Sequence, residues 1–550
     1  MSVPRPPVVA GNGMVASSQT AASLVGLDVL RRGGSAIDAA IATNAALSVV
    51  EPHMCGIGGD LFAIVWDSAK ATLAGLNASG CSPESLSLET MQRSSADGFM
   101  PGRGPLAITT PGAVAGWFDL HERFGRLPMS DVLSGAIALA EDGVAIGFNT
   151  NAAWSEAVGH LRQDSLLDGL LEPFMNCYTT NAAPPKLGGV FRNQELANSL
   201  RVIGNGGRGA FYEGPLAEEI AKSIGRAGGY LNRDDLANCQ VEWVTPVSTR
   251  YRGVDIFELP PNGQGLSVLQ MLNILEQFPL HDYTPDDPRY WHLFLEAKKL
   301  AFEDRAAYFA DPAFYSAPTE ALIAKDYAQT RAGLINPAQA MADPRPGEHV
   351  VPGSDTTYLS VCDADGLMVS LIQSIYSPFG SGIVPEGLGF ALQSRAAGFN
   401  LDPTHPNCYA PGKRPFHTII PAFACKNDQP WFCFGVMGAD MQPQGQVQVL
   451  CNMIDFNFDP QLAGDMPRLR HDGGRQPHGR HGDGIGITQF EPAFPRSVVA
   501  SLNQQGHQLK PQYNGVAGFM GGYQGIVKDP DSGAYIGATE ARLDGAVMGY

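Results

Sequence analysis

Apolar residues recur at helical spacing along much of the chain before residue 310, and the pattern changes to short runs of β-formers after residue 356. The segment from Thr20 to Arg32 is helix-like and stops at Gly33-Gly34, where glycine accepts a left-handed cap at little cost. Ser35 is placed to cap a second helix, in which Ile37, Ala40, Ile41 and Ala45 share one face. Nearly every other position of that helix is small or apolar, so the pattern predicts a core helix buried on most sides. Similar patterns predict helices over 129–141, 213–226, 265–277 and 288–310, the last starting after Pro285-Asp286-Asp287-Pro288. Thr357-Tyr358-Leu359-Ser360-Val361 then meets the turn Asp363-Ala364-Asp365-Gly366, and Met368-Val369-Ser370-Leu371-Ile372 returns, which predicts a hairpin. Further strands are predicted near 419–425, 431–436 and 524–528. The stretch 336–355, rich in Pro, Ala, Asp and Gly, reads as an exposed linker. Helices early and hairpin strands late imply layered α+β packing. No internal repeat or low-complexity tract interrupts it.

Composition narrows the function classes. With 44% hydrophobic and 17% charged residues over 550 positions, the chain has the makings of a large core. A formal charge of −18 argues against a nucleic-acid surface, which needs clustered Lys and Arg to displace counterions. A small-molecule substrate is expected, with no cofactor. No apolar stretch approaches membrane-spanning length, and the start Met1-Ser2-Val3-Pro4-Arg5-Pro6-Pro7 shows no apolar core behind a basic end, so a cytoplasmic protein with no membrane partner is expected. Nine cysteines without a Cys-x-x-Cys pair suit reduced thiols.

The candidate chemistry lies where the helical part ends. Thr356-Thr357 follow the polar run Pro352-Gly353-Ser354-Asp355, and a cut before Thr356 would create a threonine whose hydroxyl sits beside its own α-amine. That amine, with a reference pKa of about 7.7–8.0, suits a general base at neutral pH. Other signals are weaker. The run from His471 to Asp483 mixes His and Asp, but its spacings fit no regular ligand set, so a solvated loop and no metal are expected. His53 and Asp60 beside Gly56-Ile57-Gly58-Gly59 could be read as a phosphate or acid/base site, but the segment lacks a dinucleotide fingerprint and a clean preceding strand, so close packing explains it better. Lys413-Arg414 could attract an anion or form a stabilising ion pair.

Several segments, in order, resemble one family. They are Gly33-Gly34-Ser35-Ala36-Ile37-Asp38-Ala39-Ala40, Glu51-Pro52-His53-Met54-Cys55-Gly56-Ile57-Gly58-Gly59-Asp60, Thr110-Pro111-Gly112-Ala113-Val114-Ala115-Gly116, Glu296-Ala297-Lys298, Phe302-Glu303-Asp304-Arg305, the Thr356 hairpin, Lys413 to Ala422, and Arg542-Leu543-Asp544-Gly545-Ala546. Together they are similar to the γ-glutamyltransferases, a branch of the N-terminal-nucleophile hydrolases. The resemblance implies a four-layer αββα sandwich that cleaves itself between Asp355 and Thr356. Residues 1–355 would be the large subunit and 356–550 the small one, together one structural unit and a heterodimer, with a dimer of heterodimers left open. It also implies roles. Thr356 would attack the Asp355 carbonyl, then serve the mature enzyme as nucleophile and, through its α-amine, as base. Ser374 stands where relatives carry a threonine that hydrogen-bonds the nucleophile. Gly438 and Ala439 fall on the family's glycine pair, whose backbone N–H groups form the oxyanion hole, provided that Ala439 accepts the loop's backbone angles.

Most positions by which the family holds a γ-glutamyl head group differ here. Ser79 replaces an arginine, Tyr376 an asparagine, Gly398 an acid and His417-Thr418 a serine pair. Loss of the arginine and the acid removes both charge partners, each contact worth about 1.5–3 kcal/mol. In their place Arg395 replaces a glutamine, and its planar guanidinium could hold a carboxylate, with no acid beside it to demand an ammonium. With Tyr376, His417 and Thr418 as further substrate contacts, this set is similar to the oxamate amidohydrolase branch, which shares Pro260-Pro261-Asn262-Gly263-Gln264-Gly265. Oxamate hydrolysis to oxalate and ammonia is the expected activity. A γ-glutamyl hydrolase or transpeptidase, a glutaryl or cephalosporin acylase, and an unprocessed scaffold are the alternatives.

Overall fold

Two seven-stranded sheets, antiparallel throughout, form the frame of the computed structural model, which describes residues 5–347, 357–512 and 519–550. One sheet runs in the order Ala546–Gly549, Met14–Ser17, Thr357–Cys362, Met368–Ser374, Asp60–Asp67, Thr72–Ala78, Glu242–Val244. The other runs Val8–Ala10, Tyr535–Thr539, Gly522–Lys528, Gln429–Met437, Ala422–Lys426, Val254–Glu258, Val247–Tyr251. Each sheet draws strands from both sides of position 356. The predicted hairpin is present, with Thr357 opposite Gln373 and Cys362 opposite Met368.

Alternation along the strands divides the core. In the first sheet Leu359, Val361, Val369, Leu371, Leu61 and Ala63 pack against a helical cluster that includes the helices Ala36–Val50 and Met129–Asp142. Their neighbours Tyr358, Cys362, Met368, Ile372, Phe62 and Trp66 face the opposite way, meeting Phe423, Cys425, Cys433 and Ile526 of the second sheet. The far side of that sheet packs Ala422, Ala424, Phe432 and Phe434 against the helices Leu266–Leu275 and Pro288–Tyr308. Close approach requires glycine at two points. A Cβ on Gly26 would stand 2.1 Å from Thr43 Oγ1, where two helices cross, and one on Gly435 would stand 2.4 Å from the Tyr358 ring, where the sheets face each other.

The helix predicted after Ser35 is Ala36–Val50; all its residues are buried, and Ser35 with Asp38 closes a capping box worth about 1 kcal/mol. The other predicted helices appear as Met129–Asp142, Pro215–Arg226, Leu266–Leu275 and Pro288–Tyr308. The Asp544 carboxylate accepts from the Asn149 and Thr150 amides at 3.2 and 3.0 Å, so the C-terminal signature caps the helix Phe148–Gln163. The division into early helices and late strands is corrected, because Met14–Ser17, Asp60–Asp67, Thr72–Ala78, Val247–Tyr251 and Val254–Glu258 are strands as well. All eight residues of Asp60–Asp67 are buried, so no polar face marks the period. The described part of the expected linker is mostly exposed, as the sequence suggested, and is tied down at two points: Asn336 O accepts from His292 Nε2 at 2.8 Å, and Gly347 N donates to Asp304 Oδ1 at 2.9 Å. All nine cysteines are free thiols. No helix among the described residues is long and apolar enough to cross a membrane.

Candidate active site

The strand Thr357–Cys362 starts directly after Thr356, which, like Asp355, lies outside the described residues. Thr357 donates its hydroxyl to Gln373 O, fixing the start of this strand to the next. Ser374 ends that neighbouring strand, and its Oγ accepts the Tyr376 amide at 2.8 Å. Tyr376 turns the chain in the left-handed region, at φ 77°. The glycines before Asp60 allow this end of the sheet to close. A Cβ on Gly59 would be 2.3 Å from Ser374 O, and one on Gly58 would be 2.3 Å from Ala391 O. Close packing thus explains those glycines, as the sequence suggested.

Asp60 has a further part in the site. It stands opposite Ser374 in the sheet, fully buried, and its Oδ2 accepts from His417 Nε2 at 3.2 Å and lies 3.7 Å from Arg395 Nε. Gly80 N donates to Oδ1 at 3.1 Å. The expectation that no acid accompanies Arg395 is therefore corrected; the acid comes from a distant strand. The fully buried guanidinium donates from Nη1 to Thr418 Oγ1 at 2.9 Å and lies over the Tyr376 ring at 4.5 Å. Burial pushes the Asp60 carboxyl up to about 7, with Arg395 and backbone donors pulling the other way. Burial, and then the Arg395 charge, hold His417 well below the usual imidazole range, so the ring is neutral. Its face packs on Phe62 at 4.8 Å. Ser374, Tyr376, Arg395, His417 and Thr418 are thus linked through shared contacts, with Asp60 at their centre.

The family's head-group positions hold no replacement charges of their own. Ser79 is buried, giving its hydroxyl to Asn77 Oδ1 at 2.7 Å and accepting from Asn262 Nδ2 at 3.2 Å. At Gly398 a Cβ would come within 2.8 Å of Phe416 O, so the fold at this point has no room for an acidic side chain.

The glycine-rich loop follows the strand Gln429–Met437 and leads into the helix Met441–Ile454. Gly438 has φ 116° and Ala439 φ 61°, so Ala439 takes the left-handed angle that the second glycine would take more easily. Among the described residues neither amide N–H has a hydrogen-bond acceptor, whereas both carbonyls are used: Gly438 O accepts from Met441 N at 2.9 Å and Ala439 O from Gln442 N at 3.0 Å. Two free N–H groups beside each other can stabilise an oxyanion.

Elsewhere the His471–Asp483 segment departs from the expected solvated loop. His471 is buried, with Nδ1 2.9 Å from Lys298 Nζ and Nε2 2.8 Å from Ile485 O. Arg414 pairs with Glu242 at 2.9 Å, which favours the ion-pair reading of that residue. Among the described residues one group has metal-ligating side chains close together, His292, Glu296 and His507, with ligand atoms within 4.8 Å. The imidazoles meet at 2.9 Å, His292 Nε2 donates to Asn336 O and Glu296 pairs with Lys299 at 2.8 Å, while His507 Nδ1 is buried without a hydrogen-bond partner among the described residues.

Sequence reasoning set Asp60 aside in favour of close packing and assigned no role to Gln264. The signal for Asp60 was an ionisable residue opening an apolar strand, a place where a buried charge calls for a partner. Comparison with known proteins adds a second line. The gamma-glutamyltranspeptidase family model matches residues 22–550. A glutathione hydrolase-like YwrD proenzyme of Bacillus subtilis is 35% identical over 543 residues, covering 98% of this chain and 99% of that protein. An oxamate amidohydrolase proenzyme of Klebsiella pneumoniae is 34% identical over 551 residues, covering 98% and 99%. The crystal structure of a cephalosporin acylase from Bacillus halodurans superposes with a TM-score of 0.93 at 41% identity, over 100% of this chain and 98% of that one.

Proposed function

This chain belongs to the γ-glutamyltranspeptidase family, a family of amide-hydrolysing enzymes, and on that premise we infer a self-cleaving amidohydrolase with Thr356 as nucleophile. In the precursor the Thr356 hydroxyl adds to the Asp355 carbonyl, the peptide becomes an ester, and water releases it. Residues 1–355 and 356–550 then stay together as a heterodimer, since each large sheet is built from strands of both. Two such sheets with helices on their outer faces fit a four-layer αββα sandwich.

In the mature enzyme the α-amine of Thr356 takes the hydroxyl proton as Oγ attacks the substrate amide. The Gly438 and Ala439 amides receive the developing oxyanion, and Ser374 orients the nucleophile. Collapse expels ammonia, which takes the proton from the amine, and leaves an acyl ester. Water, deprotonated by the same amine, hydrolyses the ester and restores Thr356. With oxamate the products are oxalate and ammonia.

The observation that carries this substrate class is the fully buried Arg395, held by Thr418 and stacked on Tyr376. A buried, oriented guanidinium suits a carboxylate on a small substrate. The Asp60 contact favours a second reading, because an acid beside Arg395 could accept an α-ammonium and so admit a γ-glutamyl amide. Incubating the purified protein with oxamate and with a γ-glutamyl anilide separates the two: ammonia release from oxamate alone is expected, and cleavage of the anilide alone overturns the assignment. Thr356→Ala should leave one 58.5 kDa band on a denaturing gel and no turnover, where the wild type gives two smaller bands.

A further inference from the structure

We propose that Gln264 is a positioning residue that sets the distance between the carboxylate-holding side of the site and the oxyanion loop, and thereby sets the substrate length that the site accepts. The inference rests on the reading of Gly438 and Ala439 as the oxyanion hole. Gln264 is fully buried between the two parts, and its side-chain amide spends one N–H on each: Nε2 donates to Thr418 O at 2.8 Å and to Ala439 O at 3.1 Å. Thr418 is the residue whose hydroxyl takes the Arg395 guanidinium. One planar amide thus ties together the group that would hold the substrate's acid and the group that would hold its oxyanion.

The amide itself cannot turn. Gln264 Oε1 accepts from Arg305 Nη1, and the same nitrogen donates to Asp440 Oδ1 at 2.9 Å, the residue after Ala439. Arg305 is fully buried and its guanidinium lies 3.8 Å from the Phe302 ring centre. The Arg305 charge holds the Asp440 carboxyl below its ordinary value, against the opposing effect of burial. This bracing meets a need of the loop. Ala439 sits at φ 61°, and a residue with a Cβ loses about 1–2 kcal/mol there, so an unrestrained loop would relax and swing the Ala439 N–H away. Holding the Ala439 carbonyl at one end and the Asp440 carboxylate at the other keeps the N–H aimed. A substrate must span the fixed gap between Arg395 and those N–H groups, so one carboxylate-to-amide spacing is favoured over others; on the reading of oxamate as substrate, that spacing is a carboxylate directly beside the amide.

The test compares wild type, Gln264→Glu and Gln264→Leu on oxamate and on succinamate, whose carboxylate lies two carbons farther from the amide. Gln264→Glu keeps size and the Arg305 contact but replaces the two N–H donors by an acceptor oxygen that can donate to neither carbonyl. We expect both variants to lose about a hundredfold in kcat on oxamate, as for loss of an aligned oxyanion donor, with KM within about threefold. The preference for oxamate over succinamate should collapse, and the ratio of Gln264→Glu kcat to wild-type kcat should rise toward acid pH, where the protonated carboxyl regains one donor while protonation of the Thr356 amine affects both proteins alike. Processed variants with wild-type kcat and unchanged chain-length preference overturn the inference. If the wild type hydrolyses neither amide, the functional reading fails instead. A crystal structure of Gln264→Glu then decides the inference alone, and an Ala439 angle and Thr418 carbonyl left in place overturn it.

Discussion

Replacing Asp60 by Asn keeps the shape of the site and removes one charge, so it isolates what that charge does to an anionic ligand. The folded protein raises the Asp60 carboxyl to about 7, so in the native state the group is neutral at about pH 5.5 and ionised at about pH 8.5. Arg395 Nε stands 3.7 Å from its oxygen, and a carboxylate bound on the far edge of that guanidinium would lie about 8 Å from the charge. At an effective dielectric constant of about 20 the repulsion of that one carboxylate is about 2 kcal/mol, a factor of about thirty in affinity, and a second charge on the ligand adds to it. Oxalate, the expected product, is a suitable probe because it does not turn over, and its dissociation constant can be measured by calorimetry on the processed protein. Other groups that titrate in this range, the Thr356 amine among them, act equally on both proteins and cancel in the ratio of the two constants. Wild type and Asp60→Asn should bind oxalate alike at about pH 5.5, and the variant should bind at least about ten to thirty times more tightly at about pH 8.5. A ratio that does not change with pH would refute either the charge state assigned to Asp60 or the placement of the anion on Arg395.

Three other outcomes follow from the same geometry. Ala439→Val places a β-branched residue at φ 61° and should cost about 2 kcal/mol in denaturant unfolding and abolish self-cleavage on a gel, while Ala439→Gly should cleave and turn over like wild type. Restoring the family's acid by Gly398→Asp should destabilise by about 1–3 kcal/mol without conferring γ-glutamyl hydrolysis, because the new Cβ meets Phe416 O at 2.8 Å; a stable variant active on a γ-glutamyl anilide would contradict this. Glu258 is fully buried with no partner for either oxygen among the described residues, and burial pushes its carboxyl well above the usual range. It therefore carries a proton at neutral pH, and Glu258→Gln, which removes no charge and adds one unpaired buried N–H, should destabilise by about 1–3 kcal/mol; a gain in stability would mean that the group is ionised, since a neutral amide would then relieve an unpaired buried charge.

Local pattern was enough to find the helices after Ser35 and after Asp287, the hairpin from Thr357 and the glycine-rich turn before Asp440, because caps, turn residues and apolar spacing act over a few neighbouring residues. Ser374, Tyr376, Arg395, His417 and Thr418, which lie within some forty-five positions of one another, carry no such local signal and were singled out by resemblance to the γ-glutamyltransferases. What only the tertiary structure decided is the company these residues keep. Strand Asp60–Asp67 has no polar face to mark it, yet it pairs beside Met368–Ser374 and brings a carboxylate to Arg395 and His417. Gln264 reaches Ala439 across 175 positions for the same reason. A charge or a hydrogen bond depends on distance in space, and sheet pairing sets that distance between segments whose order along the chain does not reveal which of them will meet.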